Sequence, residues 1–219
     1  MAVELDLKEI CNMSQHDFSW YTRAYPNFLK DDICDEYIRI YEKTLVEEKQ
    51  KVFDTSVCVG PIGDHGFPVC PPGHCTCVRI HPMQFDVFSD LNSVVLGSFV
   101  NILDQYREDV QLHKSQWPEH FGWEELRMKR YLCDTDEQFH MHVDVSNIES
   151  AKRFLIMLIY LNDDFDAGET EFPLFGEKVY PTKGTLVMFP PFWTHKHAAR
   201  PPKNGHAKYT LMTLLNYIS

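Results

Sequence analysis

Two short stretches concentrate the residue types that bind metals. The first is Phe139-His140-Met141-His142-Val143-Asp144. On a strand, alternate residues share a face, so His140, His142 and Asp144 are expected to project together. The second stretch, Trp193-Thr194-His195-Lys196-His197, offers two more imidazoles at the same spacing. If the fold brings the stretches side by side, two imidazoles and a carboxylate can make the facial triad of non-haem iron sites. Imidazole nitrogen and carboxylate oxygen suit Fe(II). Three ligands on one face leave three positions for a co-substrate and O2. Spacing alone does not choose between His195 and His197, which share a strand face. Taken alone, the first stretch reads as readily as an exposed polar strand.

Lys208 adds a third element. It follows His197 by 11 residues, in the run Ala207-Lys208-Tyr209-Thr210-Leu211, which reads as a strand. A buried ammonium without a partner is costly. A lysine pointing into a barrel therefore calls for an anion, and a dicarboxylate bound to a metal at one end would present one at the other. The alternative is a lysine that snorkels to the surface.

The positioning elements can be read from period and punctuation. Asp31 and Asp32 can start a helix on which Ile33, Tyr37, Ile40, Tyr41 and Leu45 recur at helical spacing, closed by Lys49, Gln50 and Lys51. A second helix is predicted from about Phe85 to Gln111, with Leu91, Val95, Phe99, Val100, Leu103 and Tyr106 on its buried side. Residues 1–28 show no clear period, and residues 113–124 read as a connection. From Glu125 the pattern changes to strands: Leu126–Cys133, Gln138–Val143, Arg153–Asn162, Glu169–Phe172, Lys178–Pro181, Gly184–Phe189 and Lys208–Tyr217. This spacing predicts a mainly β protein, a jelly-roll (double-stranded β-helix, cupin-like) barrel with the two N-terminal helices packed on one sheet. Residues 1–219 are expected to form a single domain, with 1–124 as helical support and 125–219 as the barrel core.

Composition sets outer limits. The 219 residues are 44% hydrophobic and 24% charged, an ordinary globular mixture rather than a disordered one. Lys and Arg number 21 against 32 Asp and Glu, a formal charge of −11. That repels phosphate backbones and argues against nucleic acid as a partner. No apolar run is long enough for a membrane span, and the acidic start lacks the core of a signal peptide. With seven cysteines, an odd number, reduced thiols in the cytoplasm are expected.

The stretch from Lys129 to Tyr217 resembles the Fe(II)- and 2-oxoglutarate-dependent dioxygenases, in particular their prolyl 4-hydroxylase-like branch. The matching text is Arg130-Tyr131, then Phe139-x-x-His142-x-Asp144, then Ile159-Tyr160-Leu161-Asn162-Asp163. Gly168-Glu169-Thr170-Glu171-Phe172, Pro181-x-Lys183-Gly184 and Phe189-Pro190-Pro191 follow, and then His197, Pro201, Gly205 and Lys208-Tyr209. The resemblance implies His142, Asp144 and His197 as metal ligands and catalytic centre, with His140 falling outside the frame as a neighbouring or substrate-facing residue. Counting from Trp193 and back from Pro201 selects His197 over His195. Lys208 matches the residue that pairs with the far carboxylate of 2-oxoglutarate, although it lies one residue further from His197 than in similar proteins. An extra residue in the Pro201–Ala207 turn accounts for that. Tyr131 and Thr170 resemble positions that line the co-substrate pocket. The implied cofactors are Fe(II), 2-oxoglutarate and O2, with ascorbate as a further candidate. The implied reaction is hydroxylation coupled to decarboxylation of 2-oxoglutarate to succinate and CO2. Asp144 argues against the related halogenases, which lack this carboxylate.

The resemblance points to a proline-containing peptide or protein as substrate, with a free amino acid or other small molecule, or a non-catalytic binding role, as alternatives. Residues 58–82 are rich in Gly and Pro and hold Cys58, Cys70, Cys75 and Cys77 with His65, His74 and His81. Their spacing fits no standard zinc pattern. A loop that closes over the substrate is the preferred reading.

Overall fold

The computed structural model describes residues 19–47, 78–80 and 82–218. The stretch with the four clustered cysteines lies outside the described residues, as does the predicted end of the first helix at Lys49 to Lys51.

Helix α1 spans Asp31–Glu47 and carries Asp31 and Asp32 in its first turn, where acidic side chains suit the dipole. The Asp32 carboxylate accepts from the Ile33 N–H at 3.0 Å. Its buried stripe of Cys34, Tyr37, Ile40 and Tyr41 keeps the spacing of one helical face. Helix α2, Ser89–Asp109, follows two short 3₁₀ turns at Pro82–Gln84 and Asp86–Phe88, so it begins later than the predicted Phe85. Leu91, Val95, Phe99, Leu103 and Tyr106 are buried. Val100 is 58% exposed, contrary to expectation, because it lies about 100° round the helix from Phe99 and leaves the stripe. Tyr37 joins the helices by donating to Asn92 Oδ1 at 2.9 Å.

The strands are β1 (Arg23–Tyr25), β2 (Val78–Ile80), β3 (Phe121–Trp123), β4 (Arg127–Tyr131), β5 (Phe139–His142), β6 (Arg153–Tyr160), β7 (Asp166–Ala167), β8 (Thr170–Phe172), β9 (Glu177–Val179), β10 (Leu186–Phe189), β11 (His197–Ala199), β12 (Pro202–Lys203) and β13 (Lys208–Tyr217). The major sheet runs β1-β10-β6-β13-β4-β2, with β3 on the end of β13. The minor sheet runs β5-β11-β8-β9, and β7 with β12 forms a separate ribbon. With two helices against one sheet and a second sheet facing it, the architecture is the expected jelly roll.

Parity along the major sheet separates two cores. Leu155, Met157 and Ile159 of β6, Leu186 and Met188 of β10, and Leu211 and Leu215 of β13 face the helices, in one cluster with Tyr41, Phe99 and Tyr106. The alternate residues Ile156, Tyr160, Val187, Phe189, Met212 and Leu214 face inward, meeting Phe172 and Phe175 of the minor-sheet side. The helices thus cover the outer face of the major sheet and leave the barrel interior to the site.

Three segments differ from the sequence reading. Residues 113–124 are not a bare connection, because Phe121–Trp123 pairs with Leu215–Tyr217. Arg23–Tyr25 pairs with β10, and Val78–Ile80 at the end of the Gly/Pro-rich stretch pairs with β4. Each is three residues long, too short for alternation to register. Among the described residues, no helix is long and apolar enough to cross a membrane.

Candidate metal and co-substrate site

The first expectation to fail is the shared face of His140, His142 and Asp144. In the pairing of β5 with β11, His142 opposes His197 and Phe139 opposes Ala199. Three steps on β5 therefore match two on β11, so β5 carries a bulge. The extra residue puts Phe139 and His142 on one face and turns His140 out of it. The Phe139 and His142 rings consequently meet edge to face at 3.9 Å. Asp144 arrives from the exit of the strand instead. Its N–H donates to Pro191 O at 3.1 Å, and its carbonyl accepts from Arg153 Nη1 at 2.9 Å.

His142, Asp144 and His197 come together, with one donor atom from each within 4.8 Å of the others. Asp144 Oδ2 lies 3.7 Å from His142 Nε2 and 3.5 Å from His197 Nε2. The other ring nitrogens are occupied. His142 Nδ1 donates to His140 O at 2.7 Å, and His197 Nδ1 donates to His195 O at 2.9 Å. Both lone pairs therefore sit on Nε2, facing the carboxylate. Asp144 Oδ2 is buried without a hydrogen-bond partner, which is costly unless a cation completes it. The donor set fits a divalent metal of the iron type.

The electrostatics favour the required protonation states. Burial, and then the neighbouring His197, pushes the His142 imidazole down to about 3. Burial also lowers His197. Burial raises the Asp144 carboxyl, but His142, His197, Lys129 and Arg153 outweigh it and hold the group below its ordinary value. Neutral imidazoles and an ionised carboxylate are the states a metal binds.

His195 does not join the cluster. It ends a 3₁₀ turn, Trp193–His195, so strand alternation does not relate it to His197. It is 1% exposed, with its ring against Phe175 and its Nδ1 2.8 Å from Thr194 Oγ1. His140 and His195 both serve the site through their carbonyls.

Beyond the triad the barrel interior holds a recess lined by Tyr131, Thr170 and Lys208 among others. Lys208 is fully buried rather than snorkelling, and it faces the triad's cavity despite the longer turn before it. Its ammonium donates to Gly168 O at 2.9 Å and Arg200 O at 3.0 Å, and lies 4.4 Å over the Tyr131 ring. Gly168 has φ +72°, and a Cβ there would come within 2.7 Å of the Phe165 ring, so this lysine-binding carbonyl needs glycine. Thr170 Oγ1 shares a 2.5 Å hydrogen bond with the Tyr160 hydroxyl. Ile156, Leu158, Phe189 and Met212 supply apolar wall.

Sequence reading overlooked two contributors. Lys129 lines the recess, and parity from Tyr131 would have found it. Glu124 binds Arg153 through Nε at 2.6 Å and Nη2 at 3.1 Å, and also pairs with Arg127. It thereby steadies the guanidinium that holds the Asp144 carbonyl, a long-range link with no local signature.

Residues 126–216 match the family model of the 2OG-Fe(II) oxygenase superfamily. A curated relative from Acanthamoeba polyphaga mimivirus, named "Putative prolyl 4-hydroxylase", is 29% identical over 90 residues, covering 36% of each chain. The chain thus spans about a third of that relative's length. Among solved structures, the viral collagen prolyl hydroxylase of Paramecium bursaria Chlorella virus-1, as its 2OG complex, superposes with TM-score 0.61 at 18% identity, covering 91% of this chain and 97% of the other. A Trichoplax adhaerens prolyl hydroxylase, in complex with a hypoxia inducible factor oxygen degradation domain peptide fragment, gives TM-score 0.61 at 13% identity, over 95% and 90%. A Pseudomonas putida prolyl-4-hydroxylase gives 0.56 at 17%, over 90% and 92%. The fold is the one these hydroxylases share.

Proposed function

We propose that the protein is an Fe(II)- and 2-oxoglutarate-dependent dioxygenase that hydroxylates proline in a peptide or protein, a reading supported by the match of residues 126–216 to the family model of the 2OG-Fe(II) oxygenase superfamily. The observation that carries this reading is the triad itself, with two Nε2 lone pairs and an orphaned, buried Asp144 Oδ2 converging beside a lysine-floored recess. His142, Asp144 and His197 would hold Fe(II), leaving a face open. Bound Fe(II) with 2-oxoglutarate and O2 supplies the oxidising power for hydroxylation, with succinate and CO2 as co-products. The chain's own part is binding, orientation and shielding. Lys208 pairs with the carboxylate far from the metal, the Tyr131 and Thr170 hydroxyls hydrogen-bond the co-substrate, and the wall of Ile156, Leu158, Phe189 and Met212 excludes water.

A polypeptide substrate is favoured by the peptide complex of the Trichoplax relative. It is also favoured by Trp193, which is 78% exposed on the loop whose Pro191 carbonyl holds Asp144. An exposed indole beside an active site offers a flat face for a prolyl ring. The cytoplasm, with its reduced thiols, suits an oxygen-sensitive Fe(II) centre, and Cys34 and Cys133 are both free.

The test is anaerobic addition of Fe(II) and 2-oxoglutarate, followed by visible absorption, then admission of O2 with ascorbate present. We expect a weak charge-transfer band and succinate release stimulated by a proline-rich peptide. A band with only slow, peptide-independent succinate would move the substrate to another class. No band from folded protein would remove the enzyme reading.

A further inference from the structure

The cavity that gathers His142, Asp144 and His197 is lined by two lysines, and the chemistry above employs only Lys208. Lys129 lies on β4 two residues before Tyr131, on the same face, and is 9% exposed. In the β4–β13 pairing Lys129 opposes Thr210 while Lys208 opposes Tyr131. The two lysines therefore start from diagonal positions on neighbouring strands, about 7–8 Å apart.

Their surroundings differ. Lys208 donates hydrogen bonds to two main-chain carbonyls at the Tyr131 end. The Lys129 ammonium sits 4.3 Å over the Phe139 ring, which also meets the His142 ring at 3.9 Å. Among the described residues it makes no hydrogen bond and no ion pair. Lys129 therefore stands at the triad end of the recess, nine-tenths buried, with its ammonium over an aromatic face. One ring contact offsets little of the cost of burying a charge. Its charge also acts on all three triad residues. A cation there opposes a bare metal ion. An anion arriving with the metal removes both penalties at once.

We propose that Lys129 pairs with the carboxylate of 2-oxoglutarate that adjoins its keto group, so that Lys129 and Lys208 clamp the two ends of the dicarboxylate. This rests on the co-substrate reading above. Lys129 then makes metal and co-substrate binding mutually dependent and directs the keto-acid end to the triad.

The test uses the full chain with Mn(II) as a redox-inert metal and calorimetric titration, so no turnover is involved. The ligands are 2-oxoglutarate and 2-oxobutyrate, which keeps the keto-acid end and lacks the far carboxylate. Lys129→Met should weaken both ligands by a similar factor, roughly tenfold or more for a lost charge-assisted hydrogen bond. Lys208→Met should weaken 2-oxoglutarate and leave 2-oxobutyrate within about twofold, since its partner carboxylate is absent there. Mn(II) alone should bind Lys129→Met at least as tightly as the parent. Lys129→Arg should retain most of the affinity, and Lys129→Gln repeats the experiment if the methionine variant fails to fold. Weakening of 2-oxoglutarate alone in Lys129→Met would assign Lys129 to the far end and overturn the clamp. Unchanged affinity for both ligands, or weaker Mn(II) binding, would overturn it too. If the parent protein with Mn(II) binds neither keto acid, it is the co-substrate reading that fails.

Discussion

An imidazole offers a metal only one nitrogen once the other carries a proton, and here main-chain carbonyls make the choice. His140 O accepts a hydrogen bond from the His142 Nδ1–H, and His195 O accepts one from the His197 Nδ1–H. Two histidines that look like ligands in the sequence thus contribute backbone and not side chain. The consequence can be measured by equilibrium binding of Mn(II) or Fe(II). His142→Ala, Asp144→Ala and His197→Ala each remove a donor and should abolish binding, a loss beyond the 10–100-fold typical of an outer-shell change. His140→Ala and His195→Ala keep the carbonyl and should bind within about that outer-shell range or better. His195→Ala also opens space beside Phe175, so its cost should register in thermal stability rather than in the metal isotherm. Loss of metal in His195→Ala with retention in His197→Ala would invert the assignment.

Elements were legible in proportion to their length and regularity. Strand β13 was read with its observed bounds, and β6 nearly so, because a run of eight to ten residues rich in strand formers between turns leaves little choice. The three-residue strands β1, β2 and β3 were missed because their pairing lies with distant partners. The bulge in β5 could not be read at all. The extra residue exists only relative to β11, so strict alternation wrongly grouped His140 with His142. The resemblance to dioxygenases, with its Phe139-x-x-His142 spacing, carried that information where periodicity did not. The Glu124 network was equally hidden. Glu124 collects Arg153, Arg127 and Asn216 at the junction of β4, β6 and β13. Burial raises the Glu124 carboxyl, and Arg153 and Arg127 more than reverse that, leaving it below its ordinary value. A group lowered by folding adds stability above its unfolded pKa of about 4.3, and loses that contribution as pH falls through the lower folded value. Glu124→Gln should therefore be less stable than the parent at pH 7, by about 3 kcal/mol if the arginines are left uncompensated. The gap should narrow below about pH 4.3. Urea midpoints at pH 7, 5 and 3.5 would show this, and a gap independent of pH would remove the charge from the explanation.

At the scale of the whole molecule, the question is whether the helices are accessory to the barrel or part of what makes it fold. One core cluster contains Tyr41 of α1, Phe99 and Tyr106 of α2, and Met157, Leu186 and Leu211 of the major sheet. The inward cluster behind the site is much smaller and shares β6, β10 and β13 with it. A sheet whose outer face lost the helices would expose Leu155, Met157, Ile159, Leu211 and Leu215 together, an apolar surface no isolated barrel could tolerate. Helices and barrel are therefore expected to unfold as one cooperative unit. Phe99 tests this, since it is fully buried and stacks between Phe28 at 5.7 Å and Trp123 at 6.0 Å. Phe99→Ala should cost about 3–5 kcal/mol. At about 2–4 °C per kcal/mol, that lowers the melting temperature by roughly 10 °C. The transition should stay single, with far-ultraviolet circular dichroism and tryptophan fluorescence coinciding. The metal site should fail at the same temperature, although Phe99 lies on the opposite face of the major sheet, because β6 and β13 build both faces. Early loss of helical signal with Mn(II) still bound would instead make the helices a separable cover, and the triad a property of the barrel alone.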